Sequence, residues 1–443
     1  MAHRRCPSDG GRGAGPETVS GIGLRLDQAP PFSVPLRFFL AAPFFGAIAA
    51  VVVLAIGPEI LASRWQPALL AVTHLLTLGV LTMVMLGALM QMLPVLAGSP
   101  VPRPVTVAGV VHGLLVVGTI ALAVSFPIPY TGLRNAALIA LGGGLGVFIA
   151  AAALSLVRAG ANASITAMRL ALLGLTIVAL LGLYAASTAA RARWSYNPAY
   201  ADVHLAWGLV GWVALLVIGV AYQVVPMFQL TRAYPQWLRR ALVPTLFAAL
   251  VLWSGVTVIG SSPAWLAQAA AAIIAAALAL YAIATLWLQT TRRRRLPDAT
   301  VRFWTLAMLS LLACVVLWSA HAVGMVADAR FAVLAGALMI LGFAGSAIIG
   351  MLYKIVPFLA WLHLQALGTS TLPNMKEFLP DAYTLPHVWL HAAALVLLVP
   401  AVLAPRPWLY PAAVVLLVSF LWLGWNLTAA VRQYRRSAIP VNV

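Results

Sequence analysis

The chain has 443 residues, of which 63% are hydrophobic and only 8% charged. That balance excludes an ordinary soluble domain, in which roughly a quarter of the residues carry charge. The formal charge of +18 does not point to nucleic acid, because the basic residues are scattered between apolar runs, where loop placement explains them. Two cysteines, Cys6 and Cys314, make no disulfide framework.

Residues 1–35 are polar, Gly-rich and Arg-bearing, without a short apolar core, and read as a disordered cytoplasmic tail rather than a cleaved signal peptide. From there, apolar runs of about 20 residues follow one another, each able to cross roughly 30 Å of hydrocarbon. Such runs must be helices in lipid, because their backbone groups need internal partners. The spans fall at roughly 36–57, 67–97, 105–127, 135–157, 167–189, 202–230, 240–260, 264–290, 301–325, 329–360, 384–404 and 408–431, leaving 432–443 as a second cytoplasmic tail. The fold class is therefore all-α, a polytopic membrane protein of about twelve transmembrane helices.

One stretch recurs along the chain. GALMQMLP (Gly87 to Pro94) is echoed by GVAYQVVP (Gly219 to Pro226) and by GMLYKIVP (Gly350 to Pro357). Gly79, Gly211 and Gly342 each stand fifteen residues before their proline. Three matches at one period of about 131 residues indicate an internal triplication. Twelve spans then divide into three four-helix repeats, about 36–160, 161–295 and 296–431, with pseudo-threefold symmetry. The echoed stretch is the second helix of each. Its glycines suit close helix packing at the bundle centre.

Orientation follows from the 27 basic residues. All but Arg64, Arg134, Arg191, Arg193, Arg330 and Arg406 fall in the tails or at the even-numbered loops, so both termini should be cytoplasmic. His74, His204 and His321 then share one depth near the outer face, with Glu59, Asp202 and Asp328 on the same side. Ionisable groups in a membrane are costly and mark function, although a histidine can also simply hydrogen-bond across helices. His74 opens the echoed element, and imidazole is a common axial ligand of haem iron. His204 lies two residues farther from its proline. Two residues are about 200° of α-helix, so the two rings should point differently. The third copy has Ala337 at the place of His74. Met339 is two residues out of phase and is set aside. Asp328 could orient His321 or His204.

Other ionisable groups have blander readings. His387 and His391, four residues apart on one helix face, could form a metal pair; lacking a third ligand, they are expected to make interfacial hydrogen bonds. Lys354 replaces Gln91 and Gln223 in the third copy and is expected to snorkel to the interface. The run Arg292 to Arg295 is read as a positive-inside anchor, and Trp65, Trp194, Tyr196, Tyr200 and Trp361 as interfacial aromatics. His363 follows Lys354-x-x-Pro357 at the inner end of span ten, His112 in span three has no evident partner, and His3 belongs to the tail.

The twelve spans, the three four-helix repeats and the outer-side histidine on a glycine-bearing helix resemble the catalytic subunit of haem-copper oxidases and its NnrS-like relatives. The resemblance covers residues 36–431 and is carried best by His74 to Pro94. It implies a fold of three helical arcs around cofactor pores, a bacterial inner-membrane location, and possible respiratory-chain or cytochrome partners. It also implies a haem, of b type, with copper as a second possibility. His74 and His204 would be cofactor ligands, and His74, His204 and His321 metal ligands. The departures are specific. Span seven, ALVPTLFAALVLWSGVTVIG, lacks the oxidases' paired histidines. Span ten lacks their His-x-His, and His204 is followed four residues on by Gly208 rather than tyrosine. The expectation is a haem- or metal-binding membrane protein for electron transfer, nitric oxide response or respiratory-complex assembly, without an oxygen-reducing centre. The alternatives are a cofactor-free transporter or channel, and a structural subunit of a membrane complex.

Overall fold

The structure, a computed structural model, describes residues 28–190, 198–260, 263–293, 297–326, 328, 330–368 and 372–438. The expectations for His3, Cys6, Trp194, Tyr196, Arg294, Arg295 and the N-terminal tail before residue 28 fall outside these residues. Among the described residues there are no strands. Twelve helices are long and apolar enough to cross a membrane. They are α1 (Ser33–Leu61), α2 (Pro67–Leu96), α3 (Pro104–Ser125), α4 (Thr131–Arg158), α5 (Ala163–Ser187) and α6 (Pro198–Gln229), then α7 (Gln236–Ile259), α8 (Ala264–Thr290), α9 (Ala299–Ala322), α10 (Phe331–Ala366), α11 (Asp381–Leu403) and α12 (Pro405–Ala438).

Two ends run past expectation for packing reasons. Helix α12 continues to Ala438, so Arg432, Arg435 and Arg436 ride on a helix instead of a tail. Its last turns are held by buried Leu427, Ala430 and Val431 and by Tyr434, whose ring meets Phe32 edge-on at 4.9 Å. Helix α10 continues to Ala366 because Leu364 is fully buried and His363 lies 5.6 Å from the Phe32 ring.

The most buried spans are α2, α6 and α10, the three that carry the echoed stretch. Each contains a π-helical segment, at Thr77–Thr82, Trp207–Ala214 and Leu338–Gly345. Each segment ends twelve residues before its proline. The echoed glycines Gly79, Gly211 and Gly342 all lie inside these segments. Such π turns leave wider, irregular backbone and concentrate at functional sites.

The echoed glycines also set how each central helix meets the one before it. A Cβ on Gly79 would stand 2.4 Å from the Phe45 ring, and one on Gly87 2.8 Å from Phe38 Cβ, both on α1. On α5, a Cβ on Gly174 would meet the Gly211 carbonyl oxygen at 2.1 Å, and Gly219 faces Ala167 at 2.3 Å. On α9, Gly342 faces Ser310 at 2.6 Å and Gly350 faces Phe303 at 2.8 Å. The contacted positions are seven residues apart on each partner helix. Side chains are excluded at these crossings so that backbones can approach closely.

Lys354 has a partner that lies far away in sequence: its Nζ is 2.7 Å from Asp298 Oδ2. Asp298 also caps α9, accepting from the backbone N–H of Thr300 at 2.8 Å. One carboxylate thus closes a helix end and neutralises the lysine that replaced two glutamines.

Gly174→Ala drives a Cβ into backbone that has no rotamer to yield. We expect it to lower the thermal midpoint of the detergent-solubilised protein by several degrees, corresponding to about 1–3 kcal/mol. Gly255→Ala, which meets nothing within 4 Å, is the control and leaves the midpoint within a degree or so. Equal midpoints for both variants would refute the close crossing of α5 and α6.

Candidate functional site

A cavity of about 760 Å³ opens among the helices at the π-segment level of α2, α6 and α10. Its walls are mostly apolar, with Leu, Val and Ala from α4, α5 and α10 and Phe126 at the end of α3. Both His74 and His204 line it. Their ring centroids are 6.3 Å apart and their planes differ by 22°.

The sequence argument for divergent rings assumed 100° per residue throughout. The π turns break that register. His74 stands three residues before its π segment and His204 three before its own. The segment in α6 is eight residues long and that in α2 six, so the two extra residues absorb the offset counted from the prolines. In α10 the same place, three before Leu338, is Ala335. The third copy therefore supplies no imidazole, though Gly336, Ala337 and Ile340 still line the cavity.

The His74 ring is held by backbone. Its Nδ1 is 2.8 Å from the Leu70 carbonyl, one turn back, to which it donates as the N–H tautomer. This leaves Nε2 with its lone pair. His204 packs against α5, and its Nδ1 is buried with no hydrogen-bond partner. Gly182 makes room for it: a Cβ there would lie 3.0 Å from His204 Cε1. The His74 ring also rests 5.0 Å from Phe126. The His74 ring is thus oriented through Nδ1 by a carbonyl, as metal-ligating histidines commonly are, and His204 keeps one buried nitrogen without a partner.

Charge collects at one end of the cavity. Arg64, in the α1–α2 turn, and Asp202, in the first turns of α6, pair at 2.6 Å and both line it. Arg134 of α4 joins the lining. Sequence placed Asp202 at this depth but gave no partner for it. The pair joins chain segments far apart in sequence.

His321 is not brought to this pair. It is not among the cavity-lining residues. It is exposed, stacked on Phe331 with centroids 3.6 Å apart, and its Nδ1 lies 2.6 Å from the Val326 carbonyl. Shared depth did not mean shared position, because α9 lies on another side of the bundle. Asp328 orients neither His321 nor His204: its Oδ1 accepts the Arg330 backbone N–H. Among the described residues, no group of three or more His, Cys, Asp or Glu is placed to hold a metal ion.

His387 and His391 occupy a different, fully buried place, and hydrogen bonding is their role. Tyr353 O–H donates to His387 Nδ1 at 2.5 Å, and His387 Nε2–H donates to Ser419 Oγ at 2.8 Å. Ser419 donates to His391 Nδ1 and His391 Nε2–H to Ser346 Oγ, both at 3.2 Å. Ser346 completes the run at the Leu341 carbonyl, 3.4 Å away in the α10 π segment. At the other end, Asn426 donates to Tyr353 Oη at 2.9 Å and to the Tyr383 carbonyl at 3.3 Å. One direction of donation satisfies every bond with both histidines neutral. The chain begins and ends on amide groups, which do not readily pass protons, so it is a clasp joining α10, α11 and α12.

His112 sits edge-on to Phe38 at 5.4 Å, with Nε2 buried and unpartnered. His363 packs against Phe32, as above. No protein-family model matches the chain, and no curated protein matches it.

Tyr353→Phe removes one oxygen that both Asn426 and His387 use. Each buried partner left unmade costs about 1–3 kcal/mol. We expect a clear fall in unfolding midpoint with no change in any property of the His74–His204 cavity. An unaltered midpoint would show that the clasp does not hold these helices together.

Proposed function

We propose that this is an integral membrane protein in which His74 and His204 would hold a haem, and which passes single electrons rather than reducing oxygen. The observation that carries the proposal is the pair of imidazoles, 6.3 Å apart in a largely apolar cavity. The volume of about 760 Å³ lies within the usual range of cofactor sites, roughly 300–1,000 Å³.

The donor set favours haem over a bare copper ion. Two imidazoles alone make a poor site for a divalent ion, which seeks about four donors. A haem brings four nitrogens of its own and requires only axial ligands. Bound, it would supply one-electron chemistry. The chain's residues do the rest: the Leu70 carbonyl fixes the His74 orientation, Arg134 presents positive charge to acidic groups, and the apolar walls keep water low. With His74 and His204 both holding it, the group would suit electron transfer better than activation of a small molecule.

The bias of basic residues supports an orientation with this cavity toward the outer face and both termini in the cytoplasm. A respiratory-chain cytochrome or subunit would be the electron partner. The echo of one element on α2, α6 and α10, with matching π segments and glycine contacts, supports a threefold-repeated, oxidase-subunit-like scaffold from which the ligand set of the third copy is missing.

The absorption spectrum of the full-length protein, purified from haem-replete cells, tests this. A Soret band with low-spin α and β bands is expected, together with about one iron per chain. His74→Ala and His204→Ala should each abolish the low-spin bands, while Tyr353→Phe should leave them in place. Absence of a Soret band, with no iron recovered and none taken up on haemin titration, overturns the reading.

A further inference from the structure

A second cavity, of about 400 Å³, opens between the first turns of α5 and α7. Its polar lining is Asn162, Thr166, Gln236, Arg239 and Arg240, with Ala161, Ala163 and Pro244 completing the wall. No acidic residue contributes. The ion pairs among the described residues are Arg64–Asp202, Lys354–Asp298 and Lys376–Asp381, so neither arginine here is matched by a carboxylate. The Nε of Arg239 is buried and has no hydrogen-bond partner.

The remaining groups are biased toward donation. The Asn162 side-chain oxygen is committed to the Ile165 backbone N–H at 2.9 Å, which leaves its amide hydrogens to the cavity. Helix α7 begins at Gln236 after Pro235 with no side-chain cap, so its first N–H groups are uncommitted. The lining thus offers two guanidiniums, an amide, a hydroxyl and an uncapped helix start, with little to accept in return. That set suits a compact anion rich in acceptor oxygens, since guanidinium forks match phosphate in both charge and geometry.

We propose that this groove binds a phosphate group. The same chemistry serves an anionic phospholipid headgroup or a soluble phosphate. Trp237, 61% exposed beside Gln236, lies where an interfacial aromatic would meet the headgroup region. Arg239 meets the phosphate from the wall of the groove, and Arg240 meets it from the surface.

The test uses the full-length protein, delipidated in zwitterionic detergent. Native mass spectrometry follows titration with phosphatidylglycerol and with phosphatidylcholine. A thermal-shift titration with inorganic phosphate runs in parallel. Saturable phosphatidylglycerol binding without a phosphate response identifies a headgroup site. A saturable phosphate response identifies a site for free phosphate. In either case Arg239→Gln/Arg240→Gln should weaken binding about tenfold or more, and Arg239→Lys/Arg240→Lys should restore part of it. Should the double variant fail to fold, the exposed Arg240→Gln alone is expected to weaken binding about threefold or more. The proposal is overturned if neither probe binds wild type more tightly than these variants, or if phosphatidylcholine binds as well as phosphatidylglycerol.

Discussion

Every backbone polar group in a bilayer must find a partner inside the protein, and at three places this chain meets that rule with π-helical rather than α-helical bonds. The π segments of α2, α6 and α10 depart from the regular helical ladder at the most buried level of the bundle. An irregular backbone in lipid survives only where protein covers it. Here the cover comes from close crossings at Gly79, Gly211 and Gly342, and from side chains that reach in. Ser346 caps the Leu341 carbonyl, and Trp212 Nε1 donates to Thr82 Oγ1 at 3.1 Å, tying one π segment to another. The glycines are therefore more than thin spots in a helix. They let the neighbouring helices stand close enough to enclose the irregular backbone.

The cavity is a consequence of the same departure. A wider turn spreads the backbone and changes which residues face inward. In α2 and α6 it turns His74 and His204 toward one space, although an ideal helix would have set them apart. The Leu70 carbonyl then holds the His74 ring. In α10 the corresponding place is alanine, and polarity moves elsewhere. There, His387 and His391 engage both ring nitrogens with Tyr353, Ser419 and Ser346. A buried histidine whose two nitrogens are both engaged is part of the scaffold. One that keeps a nitrogen without a protein partner is available to a ligand. That difference separates the two histidine pairs more clearly than depth or spacing could.

The charged groups follow a similar logic. Lys354 would be costly in place of a glutamine, and Asp298, already needed to cap α9, neutralises it. Arg64 and Asp202 meet across the bundle at the cavity. Arg239 and Arg240 have no such partner, and that lack distinguishes their groove from the paired charges.

The sequence by itself determined the membrane class, the number of spans and most of their limits, because hydrophobicity over about 20 residues is a local property. It also singled out the three central helices, since a fixed-period echo needs no knowledge of contacts. It brought His74 and His204 forward as candidates by residue type and position. Only the tertiary structure decided that these two rings share a cavity and that His321 stands apart. The reason is physical. Helical phase was read as uniform, and the π segments change it; depth in the membrane was read as proximity, and helices on different sides of a bundle share depth without touching. The clasp around His387 and His391, and the pairing of Lys354, likewise depend on residues brought together from distant spans, which no local pattern in the chain records.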